Sequence, residues 1–510
     1  MTRSYPSASP SDAVTGTAAG RWGARLWALL FVLAGNMLID ALEVSVAVVA
    51  LPSIGTDLGL PLTSVQWTMT GFAVGFGGLM LFGARVVSLL GRRRVYLAVL
   101  LGFAAASLLS ALAQEPWLLV ATRLVKGFCA ALTAPTGLAI ISTAFPEGPP
   151  RNRALSVYTL FGAVGFTAGL LLSGWLTTYS WRLTFAFPAP VVLVLFALGL
   201  RLIPGNDTAP GTPRRYDVPG AAAFTGALLA LVQGITALPA HGLADWRSGG
   251  ALVGAVVLLV LFMAVERGTP APLVRFGALR GGPMLRSALG AACLNGSYLG
   301  LLFVLTYQLQ TVAGWSPLRC ALALLPAAAP LAVTALSSGR LVARYGAPRL
   351  IAAGAVFPFA GYLLQLRASW PLDYPGRLLP TLLLVGAGFV LSFAALNMQA
   401  TSKLPPAERG AGSGLYQTAV QTGAVATPAL VAALLAASMP PNATAAEAVA
   451  ACRPALALVA AIGGLGLLVG LSGLTARAGP RRPPVPVPPT HSTTGHDHGP
   501  DDEDLDLRRP

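Results

Sequence analysis

Four charged side chains stand inside long apolar segments of this 510-residue sequence, and they are grouped by sign. Asp40 and Glu43 are three residues apart in one segment, and Arg123 and Lys126 are three residues apart in another. Residues at this spacing lie on one face of an α-helix. Two acids on one helix and two bases on another are the groups that a buried ion-pair cluster requires.

This cluster has two interpretations. Ionisable groups inside a bilayer are costly, so each is a functional hypothesis. In that interpretation Asp40 or Glu43 takes up and releases a proton, while Arg123 and Lys126 tune its affinity. Alternatively, the charges form a structural contact between two helices, or they extend to the membrane interface. Breaking a buried pair costs about 3–5 kcal/mol, because the remaining charge has no partner.

The segments that must position these groups are predicted to be membrane-spanning helices. The chain is 55% hydrophobic and only 10% charged, which is too apolar for a soluble globular protein. Apolar stretches of about 20 residues, long enough to cross the hydrocarbon core, recur along its whole length. The sequence predicts an all-α polytopic membrane protein with fourteen transmembrane helices, near residues 26–51, 65–89, 95–114, 117–141, 154–178, 183–203, 217–238, 249–266, 284–311, 318–342, 348–368, 377–399, 412–437 and 453–475.

The net charge of +15 is explained by topology rather than by nucleic-acid binding. If both ends of the chain are cytoplasmic, twenty-five of the 34 Lys and Arg residues lie on the cytoplasmic side. Such an excess marks cytoplasmic loops. Only two of the 34 are lysines, which is typical of a GC-rich bacterial genome. We therefore expect a bacterial inner-membrane protein with no nucleic-acid partner. Three basic residues lie within helices, and six lie on the opposite side, namely Arg182, Arg247, Arg319, Arg367, Arg377 and Arg453.

Two basic segments of similar sequence, residues 85–94 and 340–349, are expected to be charged loops between helices. Each has an Arg (Arg85, Arg340), a Gly six residues on (Gly91, Gly346) and another Arg three residues later. A repeated hinge predicts two related halves. Transporters are commonly built this way, with the substrate site near mid-membrane between the halves. The sequence therefore predicts a protein that moves a compound across a membrane.

The predicted domain organisation follows from this repeat. Two six-helix bundles, residues 22–203 and 284–476, flank a linker at residues 204–283 that carries two extra transmembrane helices. Residues 1–21 are rich in Ser, Thr and Ala, and residues 477–510 are rich in Pro and then acidic. Neither segment can bury a core, so both are predicted to be disordered cytoplasmic tails.

The sequence lacks the motifs that are typical of several other classes of function. No G-x-x-x-x-G-K-[ST] loop is present, so we expect no ATP-hydrolysing domain in this chain. No G-x-S-x-G elbow or Cys/His cluster points to an enzyme or a metal site. The four cysteines form no disulfide framework, although a single Cys320–Cys452 bond stays open. We expect no cofactor, so coupling must come from ions, the membrane potential, the substrate gradient or a partner.

Several motifs together resemble the major facilitator superfamily, and within it the fourteen-helix drug:proton antiporters. The first basic segment resembles the family's loop between helices 2 and 3. Residues 123–127 resemble its helix 4 motif R-x-x-Q-G, and residues 165–174 resemble its helix 5 antiporter motif. Glu43 stands nine residues before Pro52, where the fourteen-helix group carries an Asp. The resemblance covers most of residues 26–437.

The resemblance implies two six-helix bundles plus two additional helices, and proton-coupled export of drug-like, antibiotic or lipophilic metabolite compounds by alternating access. It implies a proton gradient as the energy source, a small-molecule substrate, contact with membrane lipid and a monomer. Proton coupling is assigned to Glu43, Asp40, Arg123 and Lys126. Conformational roles are assigned to a set of arginines and glycines, namely Arg85, Gly91, Arg92, Gly165, Gly169, Gly174, Arg340 and Gly346.

Departures from the family pattern leave alternatives open. Ser88 and Ala343 replace the hinge Asp, and Leu170 replaces a Pro of the antiporter motif. A narrow-specificity carrier for a metabolite or siderophore, a symporter, a uniporter or a non-transporting receptor therefore stays an alternative. Lys126 replaces Gln in helix 4, and its spacing suggests Asp40 as the counter-charge. Gly165, Gly169 and Ser173 form one smooth helix face, which suits either a moving interface or static packing.

The candidate substrate residues are amides and tyrosines expected at mid-membrane between the halves. A mostly apolar cavity with a few such groups suits lipophilic compounds better than sugars. Each residue could equally be a hydrogen-bonding contact between helices. The candidates are Asn36, Asn295, Tyr298, Tyr307, Gln308, Gln310, Asn397, Tyr416, Gln417 and Gln421.

Overall fold

A computed structural model describes residues 22–205, 218–269, 282–405 and 408–475. For Leu81, Ala84, Arg85 and Ser88 it describes the backbone alone. The predicted tails at residues 1–21 and 477–510 lie outside the described residues, as do parts of the linker. The chain divides into two compact units, Met1–Leu474 and Thr475–Pro510. The architecture below is that of the first unit.

The N-terminal half consists of six long helices. Two short helices, Leu62–Val65 and Trp181–Ala186, precede the second and the sixth of them. The long helices are α1 (Ala24–Leu58), α2 (Trp67–Leu90), α3 (Arg92–Ala111), α4 (Pro116–Ala144), α5 (Pro149–Thr177) and α6 (Pro188–Leu202).

Eight further long helices, two short helices and three π-helical turns make up the rest of the described chain. A π-helical turn, Tyr307–Val312, extends α9 without a break, and similar turns, Trp246–Gly250 and Tyr374–Leu378, lead into α8 and α12. Short helices Ser338–Tyr345 and Ala445–Ala451 precede α11 and α14. The long helices are α7 (Val218–His241), α8 (Ala251–Gly268), α9 (Pro283–Thr306), α10 (Pro317–Thr334), α11 (Ala347–Gln365), α12 (Leu379–Thr401), α13 (Arg409–Ser438) and α14 (Arg453–Thr475).

Thirteen helices of the described residues are long and apolar enough to cross a membrane. The fourteenth, α2, has 24 residues. At about 1.5 Å per residue it is long enough for a hydrocarbon core of about 30 Å. The described residues contain no β-strand. The predicted all-α polytopic fold is confirmed, and the protein is a multi-pass membrane protein.

The two basic segments are not loops, so this prediction was wrong. The helix α2 runs to Leu90 and α3 begins at Arg92, which leaves Gly91 alone between them (φ 86°, ψ 140°). Gly346 repeats this geometry before α11 (φ 81°, ψ 144°). Only glycine adopts such a positive φ without strain, so one residue turns the chain at each place. Arg85 lies within α2, and its side chain is outside the described residues.

The helix α10 is shorter than predicted: it ends at Thr334, whereas the sequence placed its end near residue 342. Two prolines within it, Pro326 and Pro330, remove backbone donors from its second half. The Thr334 hydroxyl donates to the Pro330 carbonyl at 2.6 Å. The chain then restarts as the short helix Ser338–Tyr345, which carries Arg340 on an exposed face.

The apolar cores show how the halves meet. We call the membrane face at which α1 begins the terminal face, and the opposite one the far face. One core joins both halves near the far face, where the end of α1 (Val46, Ile54) packs with the end of α9 (Leu305). Near the terminal face the core divides into one cluster within α1–α6 and another within α9–α14. The structure is therefore closed at the far face.

The seam between the halves is lined by helix pairs in close contact. The helix α5 packs on α10, α2 packs on α13, and α7 lies against both α2 and α13. A methyl group at Gly77 would meet the Gln421 side chain, and one at Gly78 would meet Thr225 of α7. The extra helix α7 therefore covers one side of the seam rather than standing apart from it.

The four cysteines, Cys129, Cys293, Cys320 and Cys452, are free and buried. The alternative of a Cys320–Cys452 disulfide is therefore wrong. Both thiols lie inside the apolar core that joins the halves.

Candidate functional site

The predicted charge cluster is present, and Glu43 is at its centre. One carboxylate oxygen, Oε2, forms an ion pair with Nη1 of Arg123. The other, Oε1, lies 2.5 Å from Nζ of Lys126. Nη2 of Arg123 also donates to the Glu43 carbonyl at 3.0 Å. All three side chains have an exposed fraction of 0%, so this is a buried three-charge cluster between α1 and α4.

Close helix packing positions the two cations. A methyl group at Gly127 of α4 would overlap the Phe72 carbonyl of α2, and one at Gly75 of α2 would overlap the Leu124 carbonyl of α4. Because these glycines let the two backbones approach, Nε of Arg123 reaches the Thr68 carbonyl at 2.7 Å. Small residues serve the same purpose at many membrane helix interfaces.

Aromatic rings also lie close to the two cations. The Arg123 guanidinium carbon is 4.9 Å from the Phe72 ring centre and 5.7 Å from that of Phe185. The Lys126 ammonium is 5.1 Å from the Phe103 ring centre and 5.6 Å from that of Phe185. Ring faces attract cations within about 6 Å, so these contacts partly replace the lost hydration.

The predicted pairing of Asp40 with Lys126 was wrong. Oδ2 of Asp40 accepts hydrogen bonds from Nδ2 of Asn36 at 2.9 Å and from Oγ1 of Thr133 at 2.7 Å. Lys126 instead shares Glu43 with Arg123. The reason is helical register: Lys126 is one turn from Arg123 and meets the same carboxylate, while Asp40 is one turn nearer the terminal face and meets Thr133.

The glycines of α5 serve two different contacts. Methyl groups at Gly165 and Gly169 would overlap the carbonyls of Leu38 and Leu42 on α1, within the same half. A methyl group at Gly174 would instead meet α10 of the other half, at Ala321 and the Pro317 carbonyl. Ser173 donates to the Val46 carbonyl of α1 at 2.8 Å. The smooth face of α5 therefore packs on α1, and Gly174 alone of this set lies against the second half.

Two candidate substrate residues, Tyr298 and Gln421, contact the other half near mid-membrane, and Asn295 lies beside Tyr298 with its hydrogen bond inside its own half. Asn295 of α9 donates to the Val420 carbonyl of α13 at 3.1 Å. Tyr298, one turn further along α9, has its ring centre 5.7 Å from that of Phe166 on α5. Gln421 of α13 packs against Gly77 of α2. Gln417, one turn before Gln421, is half-buried.

Three other candidates lie near the far face rather than at mid-membrane, because they belong to the π-helical turn that follows the end of α9. Nε2 of Gln310 donates to the Val49 carbonyl of α1 at 2.9 Å, which is a hydrogen bond between the two halves. Oε1 of Gln308 accepts from Gln365 at 3.4 Å, within the second half. The Tyr307 hydroxyl is 3.6 Å from the Met439 sulfur.

The remaining candidates are also displaced from mid-membrane between the halves. Asn36 is buried against Asp40 inside the first half. Tyr416 is fully buried in the core of the second half, where its hydroxyl donates to the Phe393 carbonyl at 3.4 Å. Asn397 is exposed one turn before the end of α12, at the terminal face. Helix register places these three away from the seam.

The sequence analysis missed an aromatic cluster formed by Phe166, Tyr298, Phe389 and Phe393. The Tyr298 and Phe389 ring centres are 4.9 Å apart, and those of Phe389 and Phe393 are 5.0 Å apart with an interplanar angle of 18°. The three phenylalanines are half-buried. The cluster spans the seam between α5, α9 and α12. The four-residue spacing of Phe389 and Phe393, which places them on one helix face, was the available signal.

Comparisons with known proteins agree with this architecture. Residues 33–428 match the Major Facilitator Superfamily. The chain is 37% identical to a puromycin resistance protein of Streptomyces alboniger over 78% of its own length and 79% of the relative. It is 34% identical to a cephamycin export protein of Amycolatopsis lactamdurans over 75% and 79%.

A solved structure shares the fold at low sequence identity. A peptide transporter crystallised with sulfate superposes with a TM-score of 0.64, at 16% identity, over 88% of this chain and 94% of that one. The residues that match the family, 33–428, include the part of α1 with Asp40 and Glu43, α4 with both cations, and the aromatic cluster. The chain belongs to the Major Facilitator Superfamily and is a membrane transporter.

Proposed function

We propose that this transporter exports lipophilic, aromatic compounds from a bacterial cell in exchange for protons, by alternating access. The observation that carries the proposal is the buried group of two carboxylates and two cations in one half of the molecule. Ionisable groups held in hydrocarbon are costly to keep, and proton relays are a principal use of them.

The chemistry of the cluster supports proton coupling. In a buried site the local dielectric constant is low, so a proton that neutralises a carboxylate strongly changes the electrostatic and hydrogen-bond contacts of that carboxylate. A proton on α1 therefore alters the contact between α1 and α4. These helices belong to the half that meets α9 and α10 at the seam, so the change can reach the interface that must open.

The closed far face supports alternating access. The halves share one apolar core and the Gln310–Val49 hydrogen bond near that face, while their cores are separate near the terminal face. We assign the terminal face to the cytoplasm, because it carries most of the basic residues. The structure then corresponds to the state that receives a compound from the cytoplasm, and both termini are cytoplasmic.

The aromatic cluster supports the class of compound. Flat rings stack on Phe389 and Phe393, and a cationic group is attracted to the face of Tyr298. Two relatives are named for puromycin resistance and cephamycin export. We therefore assign antibiotic-like compounds with an aromatic group to the seam beside Asn295 and Gln421.

Proton flux in liposomes tests the proposal. Purified protein is reconstituted with a pH-sensitive dye in the lumen, and ethidium, a planar aromatic cation, is added outside. Antiport predicts that ethidium entry drives protons out, so the lumen becomes more alkaline. An acidified lumen would instead indicate symport, and ethidium entry without a pH change would indicate uniport.

Protein-free liposomes measure passive ethidium entry, and a protonophore identifies pH changes that depend on a sealed membrane. Puromycin is run in parallel as a second aromatic amine. Absence of protein-dependent flux of both compounds would contradict the proposed substrate class.

A further inference from the structure

We propose that Asp40 carries the coupled proton and that Glu43 stays ionised throughout the transport cycle. The inference rests on the proposed function, because it assigns the proton site of that antiporter. The sequence left the proton carrier open between Asp40 and Glu43, and the assignment is to the acid that does not stand at the position where the resembling family carries its own.

Glu43 cannot take a proton without leaving two buried cations uncompensated. Both of its carboxylate oxygens are engaged, one by Arg123 and the other by Lys126. No other carboxylate of the described residues forms a salt bridge with either cation. A neutral Glu43 would therefore leave two positive charges in a site with no exposed surface, which is far more costly than the pair itself.

Asp40 is in the opposite situation. It is buried, and in the described part of the chain no cation forms a salt bridge with it. Its Oδ2 accepts from Asn36 and Thr133, whereas its Oδ1 is buried without a hydrogen-bond partner among the described residues. A proton on Asp40 therefore leaves no charge unpaired.

Thr133 can serve both forms of Asp40. Its hydroxyl donates to Oδ2 of Asp40 at 2.7 Å, and the carbonyls of Cys129 and Ala130 lie 3.2 Å and 3.3 Å from the same oxygen. When Asp40 is ionised, the hydroxyl hydrogen points to the carboxylate. When Asp40 carries the proton on Oδ2, it donates to Oγ1 of Thr133, and the hydroxyl hydrogen turns to one of these carbonyls. Each form is therefore hydrogen-bonded.

The other titratable side chains that face Asp40 are Glu43 on α1, Tyr96 on α3, Cys129 on α4 and Tyr158 on α5. All of them are acids, so none supplies a positive charge to Asp40. The two carboxyls of α1 thus have contrasting surroundings, which is the pattern that separates a proton carrier from a fixed charge.

Asp40→Asn tests the assignment in the liposome assay, with Asp57→Asn as the matched control. Asp57 is on the same helix, but its carboxylate accepts from Trp181 and Arg182 near the far face. We expect Asp40→Asn to lose ethidium-driven proton movement completely while it still exchanges labelled for unlabelled ethidium at the wild-type rate. Asp57→Asn should retain both activities.

Proton movement at the wild-type level in Asp40→Asn would overturn the assignment while leaving the antiporter proposal intact. Ethidium transport without proton movement in the wild type would overturn both.

If Asp40→Asn does not fold, Thr133→Val and Thr133→Ser test the assignment of the proton to Asp40 instead. Removing the hydroxyl should raise the pH midpoint of coupled transport by about one unit, because the bond that Thr133 donates to the ionised carboxylate is charge-assisted and therefore stronger than the bond it accepts from the protonated form. Thr133→Ser should restore the wild-type profile, and identical profiles for both variants would reject the inference.

Discussion

The two halves of this transporter share a helical architecture but differ in how they satisfy buried polar groups. The N-terminal half uses charge, in the contacts of Glu43 with Arg123 and Lys126. The C-terminal half uses amides and hydroxyls, such as the Gln308–Gln365 pair. In residues 282–405 and 408–475, no Asp, Glu, Lys or Arg side chain is buried.

This difference in buried groups indicates that the two halves have different roles in the response to a proton. A half with buried ionisable groups responds to a proton with a large energetic change, whereas a half with neutral amides does not. We infer that the N-terminal half senses the proton and that the C-terminal half responds by changing its position at the seam. The seam contacts of Gly174 and Gln310 are then the places where that response is transmitted.

The largest expected effect is that of Glu43→Gln. It leaves both cations without a carboxylate, so we expect a loss of about 3–5 kcal/mol in stability and little folded protein. The melting temperature of detergent-purified protein, together with its yield from membranes, measures the effect. Adding Lys126→Met should restore part of the loss, because one uncompensated charge is removed. A melting temperature equal to that of the wild type would contradict the proposal that buried charge pairs stabilise the N-terminal half.

The next effect concerns the place where the halves meet. Gly174→Ala inserts a methyl group against Ala321 and the Pro317 carbonyl of the other half, so we expect about 1–3 kcal/mol of overpacking at the far face. The closed state should lose population. Labelling of a cysteine introduced near the far face should become faster. Gly254→Ala, where a methyl group meets no other atom, is the matched control. Equal labelling rates would show that Gly174 does not hold the far face closed.

A smaller effect is expected in the second half. Gln365→Leu leaves Oε1 of Gln308 without its donor, which should cost about 1–3 kcal/mol, and Gln308→Leu combined with it should recover most of that loss. Thermal unfolding of the single and double variants measures both steps. Additive losses would mean that the pair is not the unit that stabilises this region.

The smallest effect is expected on affinity. Phe393→Ala removes the ring stacked on Phe389, so we expect ethidium binding to weaken by about 0.5–1.5 kcal/mol with stability little changed. Titration of intrinsic fluorescence measures the change. Phe357→Ala, on α11 and outside the aromatic cluster, is the control. Equal weakening in both variants would exclude a specific role for the cluster.

Much of the fold could be predicted from the sequence, because hydrophobic length identifies each membrane helix. The connections were harder to predict. The two basic segments were expected to be loops, yet Gly91 and Gly346 each turn the chain alone, since a single positive φ suffices. The early end of α10 depends on the positions of Pro326 and Pro330, whose effect is local and not visible in overall hydropathy.

The charge cluster was partly predictable. Spacing identified which residues share a helix face, and the ion-pair cluster expected between the two helices is present. Spacing within a helix does not give the vertical register between two helices, so Lys126 was paired with the wrong acid. The positions of the candidate substrate residues were mispredicted for the same reason, because they also depend on the register between helices. The far-face position of Gln310 and the burial of Tyr416 depend on packing between helices, which the sequence alone does not specify.

The apolar core that joins the halves near the far face has a thermal consequence. Opening that face must bring water to side chains such as Val46, Ile54 and Leu305. Hydration of apolar surface carries a large heat capacity, so the balance between the two states should curve with temperature rather than follow a straight van 't Hoff line. Because apolar contacts weaken on cooling, the far face should open more readily in the cold. The transporter would then hold different resting states at low and at high growth temperatures.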